Sequence, residues 1–161
     1  MSCYHPPFES KIIQPVHIVL MNLSKPVVFT NGCFDILHRG HVTYLAEAKT
    51  KGNTLIVALN TDSSVKRLGK QYNRPINCLE DRMALIASLV DVDYVTFFDD
   101  DTPLNLIKMI NPNVLVKGGD WPLESIVGYE EVIKNNGKVY SIPFVYNMST
   151  TKIIHKMCNN E

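Results

Sequence analysis

The run Leu55-Ile56-Val57-Ala58-Leu59 constrains the fold more than any other feature of this chain. Side chains alternate between the two faces of a strand, so five consecutive apolar residues ask for cover on both faces of a sheet. A sheet with one wet face would show polar residues at every second position. Other short β-branched runs recur at 26–30, 94–98, 114–117 and 138–143, which with 54–60 make five strand candidates. Helical spacing fills about 39–51, 61–68, 78–90, 102–111, 127–136 and 149–157, and each switch is punctuated by Gly, Asn, Asp or Pro. The alternation predicts an α/β chain with a doubly wound parallel five-stranded sheet and right-handed crossovers.

The chain has 161 residues, 45% of them hydrophobic and 20% charged, enough for about one domain with a buried core. We expect a loose N-terminal arm over 1–13, marked by Pro6, Pro7 and Ser10, and one domain over 14–161. Residues 14–24 read either as a further helix, with Val16, Val19, Leu20 and Leu23 on one face, or as a peripheral β-segment. Nowhere do the roughly 18 successive apolar residues of a membrane span occur. Cys3, Cys33, Cys78 and Cys158 form no CxxC pair, and no secretory leader precedes them, so we expect reduced thiols in a cytoplasmic protein.

Sixteen basic and sixteen acidic residues cancel, which argues against a nucleic-acid partner and makes any phosphate site local. The charge is uneven. Between 62 and 82, Lys66, Arg67, Lys70, Arg74 and Arg82 outnumber Asp62, Glu80 and Asp81 by two, whereas 91–101 holds five acids and no base. Lys66 and Arg67 read either as a phosphate site or as a solvated helix face. For Asp99-Asp100-Asp101 we expect a cap on a helix opening at Thr102-Pro103 rather than a metal cage. Arg82 shares a helix with Leu79, Met83, Ile86 and Leu89 and is expected to orient it.

The densest cluster of unusual residues is the run from Thr30 through Asn31-Gly32-Cys33-Phe34-Asp35 to His38-Arg39-Gly40-His41, where the first strand ends and a helix begins. Gly32 lets backbone approach a phosphate, and a helix start offers free N–H groups and a positive dipole end. His38 and His41, three residues apart, fall on one face of the first turn, with Gly40 leaving room between them.

Gly32-Cys33-Phe34-Asp35 followed by His38-Arg39-Gly40-His41 resembles the signature of the HxGH nucleotidyltransferase (cytidylyltransferase-like) superfamily. Lys66-Arg67-Leu68, Arg74-Pro75-Ile76-Asn77, Asp81-Arg82-Met83, Val116-Lys117-Gly118-Gly119-Asp120 and Ser149-Thr150-Thr151 stand in the order of its heptose 1-phosphate adenylyltransferases. The resemblance covers about residues 14–157. It implies a Rossmann-like nucleotidyltransferase fold, and transfer of AMP from ATP to D-glycero-β-D-manno-heptose 1-phosphate with Mg²⁺ on the phosphates. The product, ADP-heptose, serves lipopolysaccharide core or surface glycans.

The resemblance also assigns residues. His38 and His41 are catalytic. Asn31, Gly32, Cys33, Phe34, Gly40, Gly118, Asp120, Ser149, Thr150 and Thr151 bind nucleotide, with an ordinary helix N-cap as the lesser alternative for Ser149-Thr150-Thr151. Lys66, Arg67 and Lys117 meet the sugar phosphate, and no protein metal site is implied. Trp121 either lines the pocket or serves the core or an interface. A homodimer and a separate heptose kinase complete the expectation. Related cytidylyltransferases carry Arg-Thr-Glu-Gly before the Ser-Thr pair, where this chain has Val145-Tyr146-Asn147-Met148, which turns the reading away from CTP. A transferase using CTP or another phosphorylated acceptor, and a non-catalytic nucleotide-binding module, are the alternatives.

Overall fold

The computed structural model describes residues 5–69, 73–146 and 148–158. The apolar run predicted to lie between two covered faces does so: β2 (Thr54–Asn60) is buried along its whole length. It pairs in parallel with β1 (Val27–Gly32) on one side and β3 (Tyr94–Phe98) on the other. β1 also pairs with β4 (Val114–Gly118), which pairs with β5 (Lys138–Ile142). The strand order is β3-β2-β1-β4-β5, all parallel.

Among the described residues seven α-helices accompany the strands: α1 (Pro15–Ile18), α2 (Arg39–Lys49), α3 (Asp62–Arg67), α4 (Leu79–Ala87), α5 (Leu104–Ile110), α6 (Tyr129–Lys134) and α7 (Thr150–Cys158). The pleat sorts the core into two layers. Val28, Leu55 and Val57 meet Tyr44 and Leu45 of α2 and Met83 and Ile86 of α4. Phe29, Ile56 and Ala58 meet Ile18 of α1, Leu106 and Ile107 of α5 and Val132 of α6. Each fully buried Val, Leu, Ile or Phe is worth roughly 1.5–3 kcal/mol over exposure, so both faces of the strand run contribute.

Three expectations change. Residues 7–13 are docked rather than loose: Pro7–Lys11 is a 3₁₀ turn, and Lys11 Nζ donates to the carbonyls of Leu89 and Val92 at 3.0 and 2.8 Å. Ile12 then bridges Val95, covering the free edge of β3. Within 14–24 the helix alternative holds, but shorter than expected and with a different inward face. One helical turn forms, and it buries Ile18, leaving Val16 and Leu20 exposed.

The third change concerns the acids after β3. The helix opens at Leu104, with Pro103 at its cap and no capping side chain. Asp99 instead accepts from the hydroxyls of Thr61 and Ser63, Asp101 pairs with Arg67 Nε at 2.7 Å, and Asp100 accepts from Asn105 at 3.0 Å. The acidic run ties β3 to α3.

The topology fixes where a ligand can sit. The chain winds outward from β1 through β2 to β3, then crosses back to place β4 on the other side of β1. The crevice at this reversal opens beyond the C-terminal ends of β1 and β4, at Gly32 and Gly118.

Candidate functional site

A cleft of about 170 Å³ occupies that crevice, lined by Asn31, Gly32, Cys33, Phe34, His41, Tyr44, Lys117, Gly118 and Phe144. Phe34 turns the chain from strand to helix at φ 45°, a left-handed conformation that a bulky residue adopts only when its surroundings impose it. Its buried ring meets His41 edge-on, with centroids 5.1 Å apart. His38 stacks on His41 at 3.8 Å, the planes 20° apart. The i, i+3 spacing thus brings both imidazoles to one face of the first turn of α2.

His38 stands at the N-cap position without forming a side-chain cap bond. Its Nδ1 is enclosed and has no hydrogen-bond partner among the described residues. Burial pushes the His38 pKa below the usual 6.5, so the ring is neutral at neutral pH and one of its nitrogens carries a proton. Gly40 makes the stack possible, because a Cβ there would lie 3.1 Å from His38 Cε1 and Nδ1. The first-turn amides of Arg39 and Gly40 have no acceptor inside the helix, and the positive end of its dipole faces the same crevice. Two stacked imidazoles beside first-turn amides at a helix N-terminus can form a site for an anion carrying several oxygens.

The walls are held from behind. Arg82 is fully buried and donates to the carbonyls of Cys33 (2.7 Å), Asn60 (2.8 Å) and Asn77 (3.1 Å) and to Asp62 Oδ1 (2.7 Å). It does more than orient α4, because it fixes the motif loop to the end of β2. Asp35, also fully buried, accepts from Arg74 Nε at 2.8 Å and from the amides of Ile76 and Asn77 at 2.8 and 3.0 Å. Tyr44 donates to the Val116 carbonyl at 3.2 Å and bonds Thr30, and its burial raises the phenol pKa.

The remaining expected residues are spread around this centre. Lys117 reaches Asn31 Oδ1 at 3.4 Å across the mouth of the crevice. Thr150 Oγ1 donates to the Ile36 carbonyl at 3.5 Å, which leans the start of α7 on the motif loop. Ser149 Oγ accepts from the Lys152 amide at 3.2 Å, as a helix cap does, and Thr151 is exposed. Asp120 and Lys66 are exposed outside the cleft lining, and Arg67 is engaged with Asp99 and Asp101. Lys70 lies outside the described residues.

Tyr44, Phe144 and the wall-building roles of Asp35 and Arg82 escaped sequence reasoning. Tyr44 had a signal, since it follows His41 by three residues on the same helix face. Among the described residues no three His, Cys, Asp or Glu side chains gather as a metal site.

Residues 29–156 match the cytidylyltransferase-like family, a span that takes in the whole crevice from β1 to α7. The chain belongs to the cytidylyltransferase-like family. Within it, this chain is 48% identical over 154 residues to the D-beta-D-heptose 1-phosphate adenylyltransferase of Bordetella bronchiseptica, covering 93% of this chain and 95% of that protein. It is 50% identical over 145 residues to the bifunctional protein HldE of a Marinomonas species, where it spans 90% of its own length but only 30% of the relative's.

Among solved structures, the lipopolysaccharide core biosynthesis protein of Thermoplasma volcanium superposes with a TM-score of 0.60 at 28% identity, over 76% of this chain and 98% of that one. Pantothenate synthetase of Thermus thermophilus reaches 0.63 at 14% identity, over 89% of this chain and 67% of that one, which is a likeness of fold. A cytidylyltransferase-like chain is a nucleotidyltransferase, and in this one the stacked histidines lie at the switch point.

Proposed function

We propose that this chain transfers AMP from ATP to D-glycero-β-D-manno-heptose 1-phosphate, giving ADP-heptose and pyrophosphate for lipopolysaccharide core or surface glycans. The observation that carries the reading is the 48% identity running over 95% of the Bordetella adenylyltransferase. The stacked His38–His41 pair in the β1/β4 crevice is its structural support.

An oxygen of the sugar phosphate attacks the α-phosphorus, and the bond from that phosphorus to the bridging oxygen breaks as pyrophosphate leaves. A phosphate monoester with a second pKa near 6 is already ionised at neutral pH, so the nucleophile needs no general base. The site accordingly has to position and to stabilise charge. His38 and His41 as imidazole N–H donors, with the first-turn amides of α2, meet the negative charge that grows on the triphosphate oxygens. Asn31, Gly32, Cys33 and Phe34 with Gly118 line the nucleotide, Gly40 leaves it room, and Ser149, Thr150 and Thr151 at the start of α7 contact phosphate. Lys117 draws the incoming phosphate.

Mg²⁺ belongs to the reading as an ion carried on the triphosphate, since magnesium is commonly held by substrate phosphates together with few protein groups. A homodimer in the cytoplasm, supplied with the 1-phosphate by a separate kinase, completes it. No helix among the described residues is long and apolar enough to cross a membrane.

The test is pyrophosphate release from heptose 1-phosphate with each nucleoside triphosphate in Mg²⁺ buffer. Release with ATP is expected. Release with CTP and none with ATP would overturn the choice of nucleotide.

A further inference from the structure

Beside the first cleft lies a second, of about 180 Å³, and the two share a wall, because Asn31 and Lys117 line both. Pro103, Trp121, Ser125, Ile126 and Val127 build the rest of it. Trp121 is half exposed at 51%, yet it is fixed in place. Its backbone amide donates to Ser141 Oγ at 2.9 Å, and its indole Nε1–H donates to the Gly118 carbonyl at 3.1 Å. Gly119 is needed to seat it there: its φ is 120°, and a Cβ at that position would lie 2.5 Å from Trp121 Nε1.

With the indole N–H already bonded, what Trp121 offers the cleft is apolar aromatic surface. Around that surface stand the Asn31 amide, the Lys117 ammonium and the Ser125 hydroxyl. Ser125 donates its hydrogen to the Pro122 carbonyl at 2.7 Å and keeps its lone pairs to accept. An apolar platform rimmed by hydrogen-bonding groups, with a cation at one end, suits a ligand that is apolar on one face, hydroxylated at its edge and anionic at one terminus. A pyranose carrying a phosphate is such a molecule, because its axial C–H face packs on an aromatic ring while its hydroxyls point outward. Lys117 stands at the wall between the clefts, where an acceptor phosphate must lie to reach the α-phosphorus held under His38 and His41.

We propose that this second cleft is the sugar subsite and that Trp121 is the platform on which the sugar ring stacks, setting affinity for the acceptor and not for the nucleotide. The assignment rests on the adenylyl-transfer reading above. It adds a specificity-determining residue and the direction in which the acceptor extends from the crevice, toward Ser125 and Ile126.

The chain has a single Trp, so its emission reports on this site alone. Titration of the unmodified protein with heptose 1-phosphate is expected to give a saturable blue shift as the half-exposed indole is covered. Trp121→Ala is expected to raise KM for heptose 1-phosphate about tenfold, the order expected for loss of one aromatic contact. KM for ATP should stay within about twofold, and Trp121→Phe should fall between. The phenylalanine variant carries the comparison should the alanine variant fail to fold by circular dichroism.

Unchanged emission at saturating heptose 1-phosphate overturns the proposal. So does a Trp121 variant that keeps the normal KM for the sugar phosphate, or one whose defect falls on ATP. If the unmodified protein makes no ADP-heptose, the adenylyl-transfer reading fails by itself, and the emission titration still decides whether the cleft takes a sugar phosphate.

Discussion

Arg82 Nη1 lies 2.7 Å from the carbonyl oxygen of Cys33, so a guanidinium with no exposed surface holds the loop that presents His38 and His41. The same side chain binds the carbonyls of Asn60 and Asn77 and the carboxylate of Asp62. Removing it leaves several buried acceptors unpaired at about 1–3 kcal/mol each. Arg82→Ala should lower unfolding free energy by roughly 3–5 kcal/mol in urea titration, in the range of broken buried ion-pair networks. Arg82→Lys should recover only part of this, since an ammonium cannot reach four acceptors in a planar fork. A loss below about 1 kcal/mol for the alanine variant would show that the network is not what holds the loop.

Asp35 is the matching anchor on the other side of the loop. Asp35→Ala strands Arg74, itself 8% exposed, and the amides of Ile76 and Asn77. We expect a comparable loss of roughly 3–5 kcal/mol, and a smaller one for Asp35→Asn, which keeps an acceptor for the two amides. Equal losses for the two variants in urea titration would place the stabilisation in the charge and not in the amide contacts.

Gly40→Ala separates geometry from stability. The new Cβ would lie 3.1 Å from the His38 ring, so the ring must shift, whereas alanine in the first turn of a helix is favourable by up to about 1 kcal/mol. Turnover should fall about 10- to 100-fold, the scale of a misplaced catalytic group, while the melting temperature holds or rises. A variant with full activity would mean that the His38 position is not critical.

The lowered pKa of His38 carries a signed prediction. Between that lowered value and about 6.5 the unfolded chain binds more protons than the folded one, so stability rises with pH across this window. The contribution is fully present above about 6.5 and is lost as pH falls toward the folded value. Urea midpoints at about pH 7.5 and 5.5 should differ more for the unmodified protein than for His38→Gln. Identical pH dependence in the two proteins would show that His38 is not held neutral.

Much of this was legible in the sequence where partners are near in the chain or where a run leaves one choice. The strand expectations at 54–60 and 94–98 match β2 and β3 at both ends, because a run apolar on both faces fits only a covered parallel strand. Asn31, Gly32, Phe34, His38, Gly40 and His41 belong to one contiguous stretch, so the fold had only to leave it at the C-terminal end of β1.

What was not legible depends on distant partners. Asp99 and Asp101 read locally as a helix cap, but Thr61, Ser63 and Arg67, more than thirty residues away in sequence, take them. Lys11 reads as part of a loose arm until the Leu89 and Val92 carbonyls are beside it. Phe34 at φ 45° defeats local rules altogether, since phenylalanine adopts that conformation only under tertiary constraint. Phe144 joins the cleft from the end of β5 with no local pattern to announce it.

In the proposed reaction the stacked His38–His41 pair stabilises the charge that develops during adenylyl transfer. The direct measurement is the kcat of the His38→Ala/His41→Ala double variant with ATP and heptose 1-phosphate, on protein shown to be folded. Loss of one such donor costs about 100- to 1,000-fold, so the double variant should fall by at least that much. Turnover equal to that of the unmodified protein would contradict the account and place the chemistry elsewhere.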